Sequence, residues 1–165
     1  FRITDRQCTT MITLDHLDVR LLDLLSRNAR AGVMELAQQL SVARNTVVAR
    51  LKRLETAGVL DGFAPRLNLA PLGVSVRAFL ALELEQGQLD HVVASLAAIP
   101  EVLEVHATTG REDLLVQAAA RTHDGLQDLI QKVVSIHGVA HSNTTLALTT
   151  PLPFRVQPLI DTLVD

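Results

Sequence analysis

Between Arg44 and Arg53 the chain carries four cations, Arg44, Arg50, Lys52 and Arg53, and no anion. Such a density of positive groups suits an anionic polymer, and the side chains among them narrow the chemistry. Arg and Asn each present two groups that can pair with base edges in a major groove, Arg with guanine O6/N7 and Asn with adenine N6/N7. Lys offers a compact charge for phosphate, a contact that positions without reading sequence. On a helix turning by about 100° per residue, Val47, Leu51 and Leu54 share one side. Asn45, Ala49, Lys52 and Arg53 lie opposite, with Thr46 and Val48 on the flanks. Recognition helices meet base edges with their N-terminal residues. The expectation therefore puts Arg44, Asn45, Thr46 and Val48 near bases and Lys52 and Arg53 at phosphates. Arg50, flanking the buried side, either braces the helix or touches phosphate. A merely solvated basic helix has the same composition, so the surrounding elements must decide.

A second constellation is Thr109-Gly110-Arg111-Glu112-Asp113. Gly110 lets a ligand approach backbone N–H and C=O groups, and Asp113 can accept a hydrogen bond from an ammonium. Asn143 and Thr145, two residues apart on one strand face, can meet a carboxylate. An ordinary hairpin, with Gly at positive φ and Asp closing a turn, uses the same residue types. His106, His137 and His141 lie in the same half, but their spacing matches no zinc pattern. One cysteine, Cys8, excludes an internal disulfide or a cysteine cluster. No cofactor and no metal are expected.

The elements that must hold these residues follow from periodicity. Leu14, Leu17, Leu21, Leu24 and Leu25 form one helical stripe, with Asp15 or Asp18 placed to cap or charge its start. A shorter helix over 33–40 buries Val33, Leu36, Ala37 and Leu40. Ser41-Val42-Ala43 then leads into the basic helix, 44–57, and two helices joined by so short a turn form a helix-turn-helix. Gly58 suits a left-handed C-cap, and residues 59–67 predict a hairpin turned around Asp61-Gly62, a wing. Residues 68–73, with Pro71 and Gly73, predict a linker.

Beyond it the period becomes two, with Val74, Val76, Ala78, Leu80, Leu82 and Leu84 alternating along a strand. A helix bearing Leu89, Val92, Val93 and Leu96 follows, then strands over 102–107 and 114–119. A helix burying Leu126, Leu129, Ile130, Val133 and Val134, stopped by Gly138, and a strand over 142–149 complete β-α-β-β-α-β, the ferredoxin-like unit. Phe79 and Ala81 point to the sheet face that the helices leave bare. Covering about 600 Å² of such apolar surface contributes on the order of 15 kcal/mol before ordering costs, which predicts a homodimer. The fold class is thus α+β, with a winged helix-turn-helix over 14–67 and a ferredoxin-like sensing and dimerisation domain over 74–150. Residues 1–13 are read as an arm or expression remnant. The tail, 151–165, is read as either a last strand or a small helix packed on a neighbour.

Charge divides along the same line. Residues 14–67 carry eight Lys/Arg against six Asp/Glu, whereas residues 74–150 carry four against nine. The basic half is the one suited to an anion. With no Trp or Tyr and four Phe among 165 residues, stacking on single-stranded nucleic acid is disfavoured. No apolar run approaches the roughly 18–20 residues of a membrane span, and no export signal is apparent, so a soluble cytoplasmic protein is expected.

Leu14-Asp15-His16-Leu17-Asp18, Glu35-Leu36-Ala37, Arg50-Leu51-Lys52-Arg53-Leu54-Glu55 and Gly58-Val59-Leu60 closely resemble the winged domain of the Lrp/AsnC feast/famine regulators. Pro100-Glu101-Val102, Thr109-Gly110 with Asp113-Leu114-Leu115, and Gly138-Val139 are similar to that family's ligand-sensing domain. The resemblance covers about residues 11–150. It implies binding to double-stranded DNA, dimers assembling to tetramers or octamers, and an amino acid or related metabolite held between ligand domains. It further implies a transcriptional regulator rather than an enzyme. Two positions depart from the family pattern. Ala43 stands where a Ser usually caps the recognition helix, and Arg111 stands where an acid often follows the loop glycine. Two alternatives remain open: an enzyme like the sirohaem decarboxylases, which share this fold, and a ligand-sensing module without DNA binding.

Overall fold

The computed structural model describes residues 12–164; of the segment 1–13 read as an arm, residues 1–11 lie outside them. Ile12, by contrast, packs against the helical core and the Thr13 carbonyl accepts from Arg53, so these two are not a free arm. The chain forms two compact units, one comprising residues up to 65 together with those from 153, the other residues 66–152.

In the first unit, α1 (His16–Arg27), α2 (Val33–Leu40) and α3 (Arg44–Thr56) enclose one core. Each helix is amphipathic at helical spacing, so Leu21 and Leu25 of α1, Leu36 and Leu40 of α2, and Val47 and Leu54 of α3 all turn inward and are buried. Asp15 caps α1 in a reciprocal box: its side chain accepts the Asp18 N–H while the Asp18 carboxylate accepts the Asp15 N–H. Helix α2 ends at Ser41, whose left-handed backbone (φ 56°) reverses the chain into α3. Gly58 ends α3 at φ +69°, with the Gly58 N–H bonded to the Glu55 carbonyl and the Val59 N–H to the Leu54 carbonyl. These two bonds constitute a Schellman cap.

The hairpin expected over 59–67 is corrected. Residues 59–68 form no strand, and 61–68 are exposed, including Phe63 and Leu67. Pro65 removes a ladder donor, and beyond Leu60, which packs on the helical core, Phe63 and Leu67 stay exposed, so a two-stranded ribbon lacks its stabilisation. The tail takes the helical alternative: α6 (Gln157–Ile160) and a 3₁₀ turn, with Ile160 packed onto the first unit's core.

The second unit is a four-stranded antiparallel sheet in the order β2-β3-β1-β4, with β1 Val76–Leu84, β2 Val102–Ala107, β3 Leu114–Ala120 and β4 Val139–Ala147. Helices α4 (Leu89–Ala97) and α5 (His123–Val134) cover one face. Strand alternation sends Ala78, Leu80, Leu82, Leu114 and Val116 against Val92, Leu96, Leu129 and Val133, all buried. Helix α5 ends at Val134, before Gly138, which instead sits at φ +96° in the turn into β4. Its carbonyl accepts the Glu85 N–H, so β4 begins three residues earlier than its polar composition suggested. The opposite face is bare in the single chain. Cross-strand register places Phe79 beside Gln117 and Thr145, and Ala81 beside Leu115 and Asn143.

Candidate nucleic-acid interface and effector loop

Helix α3 presents a single outward row. Val47 and Leu54 are buried and Leu51 half-buried, which turns Arg44, Asn45, Val48, Ala49 and Lys52 to solvent, with Thr46 half-buried at the margin. Spacings of three and four bring Asn45, Val48, Ala49 and Lys52 onto one face. Among the described residues, the Arg44, Asn45 and Lys52 side chains make no hydrogen bond or ion pair and can be given to a partner. Ala43 is the N-cap and makes no side-chain capping bond. Thr46 and Val47 N–H groups reach the Ala43 carbonyl, but the first N–H groups of α3 lack the acceptor that Asp15 supplies to α1.

The two remaining cations behave otherwise. Arg50 donates through Nη1 to both Asp18 oxygens at 3.1 Å, and also to Asp15. Arg53 donates through Nη2 to Asp18 Oδ2 at 2.6 Å and to the Thr13 carbonyl at 3.1 Å. The Asp18 side chain has no exposed surface. Of the two roles open to Arg50, bracing is the one the geometry supplies; Arg53, expected at phosphate, is turned back to α1. The Asp15 carboxyl is held below its ordinary range, first by the Asp18 N–H and then by Arg50, against some opposing desolvation. The Arg50 guanidinium is correspondingly held on the charged side by Asp15 and Asp18. Sequence reasoning identified Asp18 only as a capping charge. Its partners lie 32 and 35 residues further on, and no local pattern links them.

The loop from β2 to β3 closes on itself, Thr108 N–H meeting the Asp113 carbonyl and Thr108 Oγ1 donating to the Glu112 carbonyl. Gly110 sits at φ +130°, a backbone that side-chain-bearing residues rarely adopt. Asp113, expected to face a ligand ammonium, spends Oδ2 on the Leu84 N–H at 2.7 Å. That bond satisfies a donor released where the β1–β4 register shifts between Glu83 and Leu84. Arg111 pairs with Glu83 at 2.6 Å, which raises the guanidinium pKa, and His141 Nδ1 lies 3.4 Å from the other Glu83 oxygen. The structure thus gathers Arg111, Glu83 and His141, and Glu83 was missed because its strand position gave no sign of the loop folding over it. Thr109 is exposed at the loop apex. Asn143 and Thr145 project from the bare sheet face, opposite Ala81 and Phe79.

Residues 14–55 match the AsnC-type helix-turn-helix domain, and residues 77–156 match the Lrp/AsnC ligand binding domain. An uncharacterized HTH-type transcriptional regulator of Pyrococcus furiosus is 32% identical over 146 residues, covering 88% of this chain and 99% of its own length. Regulatory protein AsnC of Escherichia coli is 30% identical over 149 residues, covering 88% of this chain and 97% of its own. The chain belongs to the Lrp/AsnC family. The solved structure of E. coli AsnC superposes with a TM-score of 0.83 at 29% identity, covering 89% of this chain and all of that one. A Neisseria meningitidis transcriptional regulator, solved as an L-Met complex, gives a TM-score of 0.81 at 26% identity, covering 89% of this chain and 99% of its own. The chain is an Lrp/AsnC-type DNA-binding transcriptional regulator, and α3 is the second helix of its helix-turn-helix. No helix among the described residues is long and apolar enough to cross a membrane.

Proposed function

We propose that this regulator reads duplex DNA through the outward row of α3, works as a homo-oligomer, and changes its DNA affinity or assembly state on binding an amino acid or related metabolite. The observation that carries the reading is that row. Arg44 and Asn45 stand exposed at the N-terminal end of α3, where a recognition helix meets base edges, and Lys52 stands exposed two turns on, a position this reading assigns to the phosphate backbone. Arg44→Ala should lower discrimination between a preferred and a random duplex by about 1–3 kcal/mol. Lys52→Ala should weaken binding to every sequence and reduce the salt slope by about 1. Equal losses on both duplexes for both variants would remove the division into a reader and a positioner.

The effector half of the reading draws on the β2–β3 loop and on the L-Met complex of the Neisseria relative. We place Thr109, Gly110 and Arg111 at that site, with Asp113 shaping the loop from behind. A ligand that binds one assembly better than another shifts the population toward it, which is the linkage such a regulator needs. Thermal-shift screening of the amino acids and their keto-acid relatives tests it. Gly110→Asp should abolish the response to whichever compound shifts the parent chain, while leaving the assembly unchanged. A full response in that variant would move the site elsewhere.

A further inference from the structure

The four cations of α3 divide into two classes, and the division has a consequence for selectivity. Arg44 and Lys52 carry no side-chain partner among the described residues. Arg50 and Arg53 converge on one carboxylate, Asp18, which has no exposed surface. Asp18 Oδ2 alone receives Arg50, Arg53 and the Asp15 N–H, at 3.1, 2.6 and 3.0 Å. The two arginine side chains remain 27% and 44% exposed, so burial alone does not keep them from a phosphate. What holds them is the partner. An arginine leaving Asp18 for DNA takes one of two cationic partners from a carboxylate that has no exposed surface, and loss of a partner from a buried charge is costly.

We propose that Asp18, seconded by Asp15, is a specificity-determining residue that withdraws Arg50 and Arg53 from the phosphate-binding charge of α3 and fixes the helix against α1. The inference rests on the reading that α3 meets DNA. Sequence-independent affinity grows with the number of phosphates a protein neutralises, whereas discrimination comes from base-edge contacts. Two cations held in ion pairs with Asp18 lower the first contribution and leave the second intact. The same carboxylate restrains the roll of α3 about its axis, on which the aim of Arg44 and Asn45 depends.

The test is a salt series of binding to two probes: a random-sequence duplex, and a duplex enriched from a random pool by the parent chain. Lys52→Ala should flatten the slope of log affinity against log salt by about 0.9, the contribution of one phosphate contact. Arg53→Gln should leave that slope as in the parent. Asp18→Asn should steepen it on the random duplex by about 0.9 for each arginine released, and should narrow the affinity ratio between the two probes. Flattening by Arg53→Gln equal to that of Lys52→Ala would overturn the proposal. So would an Asp18→Asn protein, folded by circular dichroism, with parental slope and ratio. If Asp18→Asn does not fold, the comparison of Arg53→Gln with Lys52→Ala decides alone. A parent chain whose binding to both probes ignores salt would instead overturn the DNA contact assigned to α3, a result distinguishable from either variant's failure.

Discussion

Single side chains here are informative mainly through what occupies them. Arg53 and Lys52 are neighbours of like charge in the sequence, yet one is bonded to a buried carboxylate and the other is presented to solvent. Ala43 leaves α3 without the side-chain cap that Asp15 gives α1 and Thr122 gives α5, an omission worth about 0.5–2 kcal/mol at such positions. Arg111 replaces an expected acid, and Glu83 takes up its charge. Asp15 supplies a titration with a definite sign. Its folded pKa is lowered, so the stability it contributes is fully present above the unfolded value and is lost as pH falls through the folded one. Acid unfolding of the parent chain should therefore show a component below about pH 4 that Asp15→Asn lacks. Matching acid limbs in urea-melt midpoints against pH for the two proteins would contradict this.

At the scale of elements, periodicity was a good guide wherever an apolar face had something to pack on. The 3.6-residue stripe of α3 and the two-residue alternation of β1 both predicted the buried side, because burial of leucine and valine dominates their placement. It was a poor guide at 59–67, where turn residues at Asp61-Gly62 were present but, beyond Leu60, the large apolar side chains are left exposed. Local turn chemistry permits a hairpin without stabilising one. Gly138 shows a different misreading, a helix stop that is in fact a tight turn. A Cβ there would lie 2.5 Å from Gln88 Cβ, and its φ of +96° strains any other residue. Gly138→Ala should cost about 1–3 kcal/mol by denaturant unfolding, from backbone strain plus displacement of Gln88. A change within about 0.5 kcal/mol, the range of an ordinary surface substitution, would show that the turn relaxes freely.

For the whole molecule, the bare sheet face is the feature a single chain does not explain. Phe79 is 38% exposed at its centre, with Ala81 and half-buried Leu115 beside it and polar Gln117, Asn143 and Thr145 around them. An apolar centre within a polar surround has the composition of a protein interface rather than of a solvated surface. The rim is more polar than β1 alone suggested, because β3 and β4 contribute Gln and Thr where β1 contributes Phe. Phe79→Lys should convert the proposed oligomer to a smaller species in sedimentation velocity while leaving the far-ultraviolet circular dichroism unchanged. An unaltered sedimentation coefficient would place the subunit contact on another surface. Asn143 and Thr145 would then be open to an effector, whereas in a dimer through this face they would be covered.

The order of the five longer helices and four strands, most of their buried side chains and the family were legible in the residues themselves. The hairpin over 59–67 is absent, however, and Val134, expected to be buried, is exposed. Hydrophobic burial is encoded in spacings of two, three and four, which survive without any knowledge of neighbours distant in the chain. Tertiary structure alone decided which cations of α3 are available, that Asp113 bonds a backbone amide of β1, and that Arg111 finds Glu83. Each of those depends on groups about 30 residues apart meeting at hydrogen-bond range. A charge in a sequence states only what a side chain can do. Whether it is offered outward or satisfied within depends on desolvation and on the partner that folding brings to it.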